Sequence, residues 1–356
     1  MAGVELGLIE GYYGKPWSWA DREDVIARLS AHGYGFHIYA PKADPFLRRR
    51  WQEPHPPEEA ERLRAFSASC RDLGVRFGVG LSPYEIYRDF GADAQAALAA
   101  KLEDLESLGL DDLAILFDDM RGDLPDLAAN QIRIVHWIAE RTTATRLIVC
   151  PSYYTDDPIL DRVFGQRPEN YLEDLGAGLD PAIEVFWTGE EVCSREYSAG
   201  HLARVGGQLR RKPFLWDNYP VNDGPLMSPF LHVRAFTGRP ASIGPHLSAH
   251  AVNPALQPVL SQIPAITLAE SYLRGPAYEY GAALQRAAAE VLGPDLAAAL
   301  QLNLTQIQGF GLDRLTDENV RRMRARYQRF DHAGAREVLA WLDGAYRVTQ
   351  AEMDAS

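Results

Sequence analysis

Short apolar segments alternate with longer amphipathic segments over most of this 356-residue chain. The apolar segments resemble strands buried on both faces, as in a parallel sheet, and the segments between them show helical spacing of apolar residues. The pattern predicts strands within residues 6–9, 35–40, 76–81, 113–117, 147–154, 183–189 and 213–223, and an eighth between residues 242 and 250. A parallel series of this length closes most readily into a barrel, so the predicted fold is α/β, a (β/α)8 TIM barrel.

The pattern changes after about residue 272, where only helical periodicity remains. Helices are predicted at residues 278–292, 295–302, 316–329 and 333–352, with glycine, proline or polar breaks between them. The expected organisation is a catalytic barrel domain, residues 1–273, followed by a small C-terminal α-helical region, residues 274–356. The apolar faces of these helices could pair two copies of the chain as a homodimer.

Charge and composition exclude several classes of function. The chain has 49 acidic and 36 basic residues, a formal net charge of −13, which argues against a nucleic-acid partner. No segment approaches the ~20 apolar residues of a membrane span, and the first residues have no basic start, so we expect neither a membrane partner nor a signal peptide. Cys70, Cys150 and Cys193 lack the spacing of a zinc site or a disulfide framework, so we expect free thiols and a cytoplasmic location.

The fourth predicted strand ends in two adjacent carboxylates, Asp118 and Asp119. Catalytic groups of (β/α)8 barrels lie where strands end. Neighbouring strand residues point to opposite faces, so the pair can serve one substrate only at the last rung of the strand or just beyond it. Taken alone, the pair could equally begin a solvated loop or cap a turn.

The ends of the other strands favour the functional interpretation, because they carry polar and aromatic side chains. A hexose presents hydroxyls at its edge and C–H groups on its face, so a sugar site combines Asn, Asp and Lys with aromatic platforms. A phosphate site would require more arginine and glycine-rich amides, and a metal site would require clustered histidines. The residues at predicted strand ends are Gly11, Tyr13, Lys42, Asp118, Asp119, Tyr154, Thr188, Trp216, Asn218, Asp223 and Asn253.

Five segments together resemble the family 84 glycoside hydrolases, the O-GlcNAcases and related N-acetyl-β-glucosaminidases. The resemblance extends in consistent order over residues 6–272, and it implies a (β/α)8 barrel. Since no histidines cluster with acids at ligand spacing, we expect no metal, and we expect no cofactor. Tyr12 stands where phenylalanine is frequent in the family. The segments that carry it are EGYYGKPW at 10–17, YAPK at 39–42, LFDD at 116–119, WTG at 187–189 and WDN at 216–218.

The resemblance also implies roles for individual residues. Asp118 would hold the acetamido N–H of the substrate, Asp119 would be the general acid and base, and Tyr154 would steady the acetamido group. Gly11 and Lys42 would contact sugar hydroxyls. The remaining residues of the sugar pocket would be Trp216, Asn218, Asp223 and Asn253, the last of which depends on the eighth strand.

These roles suit a retaining hydrolysis in which the 2-acetamido oxygen of the substrate attacks the anomeric carbon and forms an oxazoline. We expect Asp119 to be protonated at rest because of its neighbour's charge and partial burial. The substrate would be a GlcNAc-bearing glycoprotein, glycopeptide or small glycoside. Two other classes stay open: a lyase or aldolase using Lys42 as a Schiff-base amine, and a non-catalytic GlcNAc-binding protein.

Overall fold

A computed structural model describes residues 3–355, and residues 1, 2 and 356 lie outside the description. Each strand pairs in parallel with the next, and the last pairs with the first, so the described residues confirm the closed barrel. The strands are Glu5–Ile9 (β1), Tyr34–Tyr39 (β2), Arg76–Leu81 (β3), Asp112–Leu116 (β4), Arg146–Cys150 (β5), Glu184–Trp187 (β6), Phe214–Asp217 (β7) and Ala249–Val252 (β8).

Helices follow the strands and cover the barrel. The first begins after a capping box, in which the Ser18 side chain accepts the Asp21 N–H and the Asp21 side chain accepts the Ser18 N–H. The barrel helices are Trp19–Ser30 (α1), Pro57–Asp72 (α2), Ala92–Glu106 (α3), Leu127–Ala139 (α4), Ile159–Phe164 (α5), Tyr171–Gly178 (α6), Ala199–Leu209 (α7), Gly224–Met227 (α8) and Pro258–Arg274 (α9). The C-terminal helices are Tyr280–Leu292 (α10), Pro294–Leu304 (α11), Asp317–Tyr327 (α12), Ala333–Leu342 (α13) and Gln350–Ala355 (α14).

Two predicted elements differ from the structure. The eighth strand was expected between residues 242 and 250, but Ala241–His246 is a 3-10 helix that contains Pro245, and only Ala249–Val252 pairs with β1 and β7. The helix predicted at 333–352 is two helices. Gly344 adopts a φ of 77° and donates to the Trp341 carbonyl, which ends α13 and lets the chain turn before α14 begins.

The first residues of five strands form an ionic cluster at the opposite end of the barrel from the strand termini. Arg146 lies 3.0 Å from Glu184 and 3.7 Å from Asp112, and it also pairs with Glu5. Arg76 lies 3.3 Å from Asp112. Burial raises the pKa of Asp112 to about 6. This ionic cluster closes the end of the barrel at which the strands begin, here called the barrel floor. None of its residues lines the cavity described below.

The C-terminal helices share a hydrophobic core with the barrel. One continuous cluster includes Leu8 of β1, Val252 of β8 and Trp341 of α13. The Trp341 indole donates to the Pro229 carbonyl at 3.1 Å, and the Val348 N–H donates to Ser228 Oγ at 3.1 Å. The proposed division at residues 273/274 therefore stays a prediction. None of the helices within residues 3–355 has the length and apolarity to cross a bilayer.

Candidate active site

A cavity opens at the carboxyl ends of the barrel strands, and all nine residues that the sequence assigned to a site line it. They come from β1, β2, β4, β5, β7, β8 and the segments directly after them. This is the end at which (β/α)8 barrels carry their active sites. The nine residues are Gly11, Lys42, Asp118, Asp119, Tyr154, Trp216, Asn218, Asp223 and Asn253.

The backbone after β4 explains how two adjacent carboxylates can face one cavity. The strand ends at Leu116, so Asp118 and Asp119 lie beyond its last rung, as the sequence required. Asp119 has a φ of 54°, in the left-handed region that a residue with a Cβ seldom adopts. This turn breaks the alternation of the strand, and both side chains reach the cavity. Strained backbone of this kind is concentrated at functional sites.

Lys42 lies between the two carboxylates. Its ammonium donates to Asp118 Oδ2 and lies 3.7 Å from Asp119 Oδ2. Lys42 and Asp118 are both buried, with 3% and 5% of their surface exposed. Asp118 Oδ1 has no hydrogen-bond partner among the described residues, and no other described residue that lines the cavity has such a buried unpaired atom. A buried acceptor without a donor costs about 1–3 kcal/mol, so Asp118 is prepared for one further N–H or O–H group.

Asp119 accepts hydrogen bonds from two tyrosine hydroxyls, Tyr13 at 2.9 Å and Tyr154 at 3.2 Å. Burial alone would raise the pKa of Asp119, but the charges of Lys42 and Arg48 and the two hydroxyls hold it below its ordinary value. This direction is opposite to the expectation that Asp119 is protonated at rest. The nearby cations and the two hydroxyls together outweigh the effect of burial.

The wall opposite the aspartates is built around Trp216. A Cβ at Gly11 would lie 2.0 Å from Trp216 Cζ2, so glycine is required at position 11 for the indole to take its place. The Trp216 indole N–H donates to Asn218 Oδ1 at 3.0 Å, and Asn253 Nδ2 donates to the same oxygen at 2.9 Å. Asn253 Oδ1 in turn accepts the Gly11 N–H at 3.2 Å. These bonds hold an aromatic platform and two amides in fixed orientations.

Asp223 is the third carboxylate of the cavity. One of its oxygens accepts the Tyr13 N–H at 2.8 Å. Burial, and to a smaller extent the charge of Asp119, raise the pKa of Asp223 to about 6. Its carboxyl group can therefore serve as a hydrogen-bond donor or acceptor for a hydroxyl group near neutral pH.

Comparison with known proteins decides the family. The beta-N-acetylglucosaminidase family model matches residues 6–304. The chain belongs to this family, glycoside hydrolase family 84. The mouse and rat proteins described as Protein O-GlcNAcase are each 29% identical to it over 278 residues, which cover 75% of this chain and 30% of either relative. The chain thus spans under a third of the length of these relatives.

A solved structure of an O-GlcNAc hydrolase variant from Thermobaculum terrenum has the same architecture. It superposes with a TM-score of 0.77 at 28% identity, covering 95% of this chain and 80% of the other. These findings confirm the predicted family and fold, and they make the chain a member of an enzyme family, the family 84 glycoside hydrolases.

Several residues in and around the cavity were given no role from the sequence. Tyr13 and Thr188 were noted only as strand-end residues. Arg48 donates to the Asp119 carbonyl at 3.3 Å from a loop 71 positions earlier in the chain, a contact without a local signal. Met353 of α14 reaches the cavity from the end of the chain. The further lining residues are Cys150, Val192, Cys193, Val221 and Met227.

Other buried polar residues of the barrel lie outside the cavity. Asp217 is fully buried between Trp216 and Asn218 but does not line the cavity, because alternate residues of β7 face opposite ways. His37 pairs with Glu10, and His250 pairs with Asp217. Within residues 3–355 there is no group of three or more His, Cys, Asp or Glu side chains arranged to hold a metal ion.

Proposed function

We propose that this chain is a retaining β-N-acetylglucosaminidase that hydrolyses terminal β-linked GlcNAc by substrate-assisted catalysis through an oxazoline. The observation that carries the proposal is the state of Asp118, whose Oδ2 is held by Lys42 while its buried Oδ1 has no partner. An acetamido N–H supplies the donor that this oxygen lacks. The carboxylate then stabilises the positive charge that develops on the acetamido group as its oxygen attacks the anomeric carbon.

Asp119 is the general acid and base of this mechanism. It donates a proton to the departing glycosidic oxygen as the bond between the acetamido oxygen and the anomeric carbon forms. In the second step it takes a proton from water, which attacks the anomeric carbon and opens the oxazoline. The two inversions give net retention, and no enzyme nucleophile is required.

The low pKa of Asp119 in the ligand-free protein has to rise when substrate binds. Two groups that stabilise its ionised form also have roles toward the sugar, since Tyr154 steadies the acetamido group and Lys42 contacts a ring hydroxyl. A bound sugar that engages these groups removes part of the stabilisation and displaces water from the cavity. Both changes favour the protonated acid that glycosidic cleavage needs.

The Schiff-base alternative is disfavoured by the surroundings of Lys42. Imine formation requires a neutral amine. The Lys42 ammonium donates to Asp118 and lies 3.7 Å from Asp119, so its nitrogen is engaged by carboxylates and is not presented to a carbonyl carbon. Membership of a glycoside hydrolase family points the same way.

The experiment is a series of 4-nitrophenyl β-GlcNAc substrates with acetyl, fluoroacetyl, difluoroacetyl and trifluoroacetyl groups on the 2-amine. Each fluorine withdraws electrons from the attacking oxygen, so kcat should fall steeply along the series. A flat series would reject substrate assistance and direct attention to Asp223, the remaining carboxylate among the described lining residues. Glu184 and Asp217 are unsuited, because one lies in the barrel floor and the other is enclosed by Arg239 and His250. Binding of GlcNAc without turnover would instead support a non-catalytic protein.

The substrate class, the cellular compartment and the oligomeric state are also proposed. GlcNAc-bearing glycoproteins, glycopeptides or small glycosides are the proposed substrates. The three cysteines are free, which supports a reducing compartment such as the cytoplasm, and thiol titration of the unfolded protein without reductant should find all three. The homodimer through the C-terminal helices stays a prediction, which sedimentation at several concentrations would test.

A further inference from the structure

A second cavity of about 700 Å³ adjoins the sugar pocket. Cys193, Asn218 and Met227 line both cavities, so the two cavities meet at these three side chains. The second cavity is formed by the loop after β6, the segment after α8 and the C-terminal helices. Its contribution from the C-terminal region consists of Tyr280 and Gln308.

Two arginines of this cavity have unpaired side chains. Arg195 and Arg234 both line it, and neither guanidinium has a hydrogen bond or ion pair with another described residue. Arg239, which lines the same cavity, shows the contrast, because it makes a bidentate pair with Asp217.

The backbone around Arg234 is firmly held. Gln308 Oε1 accepts the N–H groups of Val233 and Arg234, both at 2.8 Å, and Gln308 Nε2 donates to Tyr219 Oη at 3.1 Å. Gln308 belongs to the π-helix Thr305–Phe310, a rare element that is frequently found at functional sites. A Cβ at Gly309 would lie 3.9 Å from Arg234 Nη2, which places the guanidinium over this small residue.

We propose that the second cavity binds the aglycone and that Arg195 and Arg234 select aglycones bearing a carboxylate. This inference rests on the proposed function, since it assigns the group that GlcNAc leaves. One exposed carboxylate, Glu191, also lines the cavity and has no ion-pair partner among the described residues. Two unpaired cations against one unpaired anion leave a net positive site in a chain of net charge −13. A carboxylate can accept bidentate hydrogen bonds from a guanidinium, and these bonds are shorter and stronger than neutral ones.

The experiment compares kcat/KM for two matched pairs of substrates. One pair is a serine-linked β-GlcNAc peptide with aspartate or asparagine next to the serine. The other is a disaccharide with GlcNAc on a sugar that bears either a carboxylate or its amide. The proposal predicts that the wild-type protein prefers the acid of at least one pair by roughly 3- to 10-fold. Raising KCl from 0.02 to 0.5 M, values chosen for the assay, should reduce that ratio by screening.

Variants then connect the preference to the arginines. Arg195→Gln combined with Arg234→Gln should bring the acid-to-amide ratio close to one. The ratio is internal to each variant, so a general loss of activity does not imitate the effect. Arg321→Gln is the matched control, since it removes the same charge from an exposed position on α12 outside both cavities and should keep the wild-type ratio.

The outcomes test the proposed hydrolase function and the proposed aglycone site separately. A preference confined to the peptide pair identifies an acidic peptide, and one confined to the disaccharide pair identifies an acidic sugar. Equal rates within both pairs, or a preference that survives in the double variant, would overturn the aglycone site while leaving the hydrolase intact. No release of GlcNAc from any of the four substrates would overturn the proposed function and the aglycone site with it.

Discussion

Two buried carboxylate clusters lie at strand ends of the same barrel, one after β4 and one at the end of β7. Asp217 in β7 has both oxygens filled, because Arg239 donates to Oδ1 at 2.7 Å and to Oδ2 at 2.9 Å while His250 Nε2 lies 3.0 Å from Oδ2. Arg239 also donates to the carbonyls of Ser194 and Thr237. This cluster fastens β7 to β8 and to two loops.

The cluster after β4 also pairs a buried carboxylate with a cation, but its hydrogen bonds are incomplete. Asp118 has a lysine on one oxygen and no partner on the other, and Asp119 lines an open cavity. The acid of the completed cluster is structural, and the acids of the incomplete one are available to a ligand. Glu10 after β1 repeats the first case, since Arg22, His37 and Tyr12 together occupy both its oxygens. Position at a strand end is therefore not sufficient evidence of function, and the proposed role of Asp118 is supported by its unpaired oxygen beside a cavity.

The largest expected effect separates the two acids of the incomplete cluster. Asp119→Ala should lower kcat/KM on the order of 10²–10⁴-fold for an alkyl or serine glycoside, whose leaving oxygen needs a proton, and little for a 4-nitrophenyl glycoside. Asp118→Ala should damage both to a similar degree, because it removes stabilisation of the oxazolinium charge. The measurement is kcat/KM for each variant against aryl glycosides of graded leaving-group pKa. A steep dependence for the Asp118 variant with a flat one for the Asp119 variant would exchange the roles.

The second effect concerns the completed cluster. Asp217→Asn leaves the buried Arg239 without its anion and should reduce the free energy of unfolding by about 3–5 kcal/mol. Asp118→Asn, which alters the incomplete cluster, should change it far less, because Lys42 retains Asp119 within 3.7 Å. Urea denaturation of both variants measures the difference. Equal losses of stability would show that the β4 cluster is also a structural one.

Much of the fold could be predicted because the alternation of apolar and amphipathic segments specifies a parallel barrel. The adjacency of Asp118 and Asp119 could also be interpreted, since strand geometry allows only one arrangement in which both serve one ligand. Asn253 followed from the resemblance even though the eighth strand was placed too early. These are signals within a few residues or in an ordered series of motifs.

The rest depends on contacts between distant parts of the chain. The ionisation of Asp119 is set by Lys42, Arg48 and Tyr13, which lie 77, 71 and 106 positions away. The difference between Asp217 and Asp118 arises from Arg239 and Lys42, whose positions are known only once the barrel closes. Met353 reaches the cavity only because the last predicted helix is broken near Gly344. No pattern in the sequence carries this information.

A buried carboxylate that has no cation partner within residues 3–355 sharpens the comparison further. Glu337 of α13 accepts the N–H groups of Val259 at 2.8 Å and Leu260 at 2.9 Å, at the start of α9. Burial nevertheless raises the pKa of Glu337 to about 8. The Glu337 carboxyl binds its proton more tightly in the folded than in the unfolded protein. The free energy of unfolding therefore falls as pH rises from the unfolded pKa of this group toward about 8, by about 1.4 kcal/mol per pH unit in that window.

Glu337→Gln should therefore reduce the loss of stability between about pH 5 and about pH 8. This window spans roughly the interval between the unfolded and folded pKa values of the carboxyl group. Glutamine keeps an acceptor for one of the two N–H groups and cannot ionise. Urea titrations of wild type and variant across the window measure the effect. Stability that rises with pH in the wild type, and does so less in the variant, would mean that the two N–H groups outweigh burial.

The smallest effect tests what holds Asp119 ionised. The Tyr13 hydroxyl donates to Asp119 Oδ2 at 2.9 Å, and burial raises the pKa of Tyr13, so the hydroxyl remains a donor throughout the working range. Removing it in Tyr13→Phe destabilises the carboxylate and raises the pKa of Asp119. The acid must be protonated, and kcat/KM reports the ionisation of the free protein. The fall of kcat/KM toward high pH should therefore begin about 0.5–1 pH unit higher in the variant. The profile is measured with an alkyl glycoside, and Tyr34→Phe is the control, because its hydroxyl bonds the Ala265 carbonyl and not Asp119. A limb that stays in place in Tyr13→Phe would assign the low pKa to Lys42, Arg48 and Tyr154, and one that moves to lower pH would show that Asp119 is not the group being titrated.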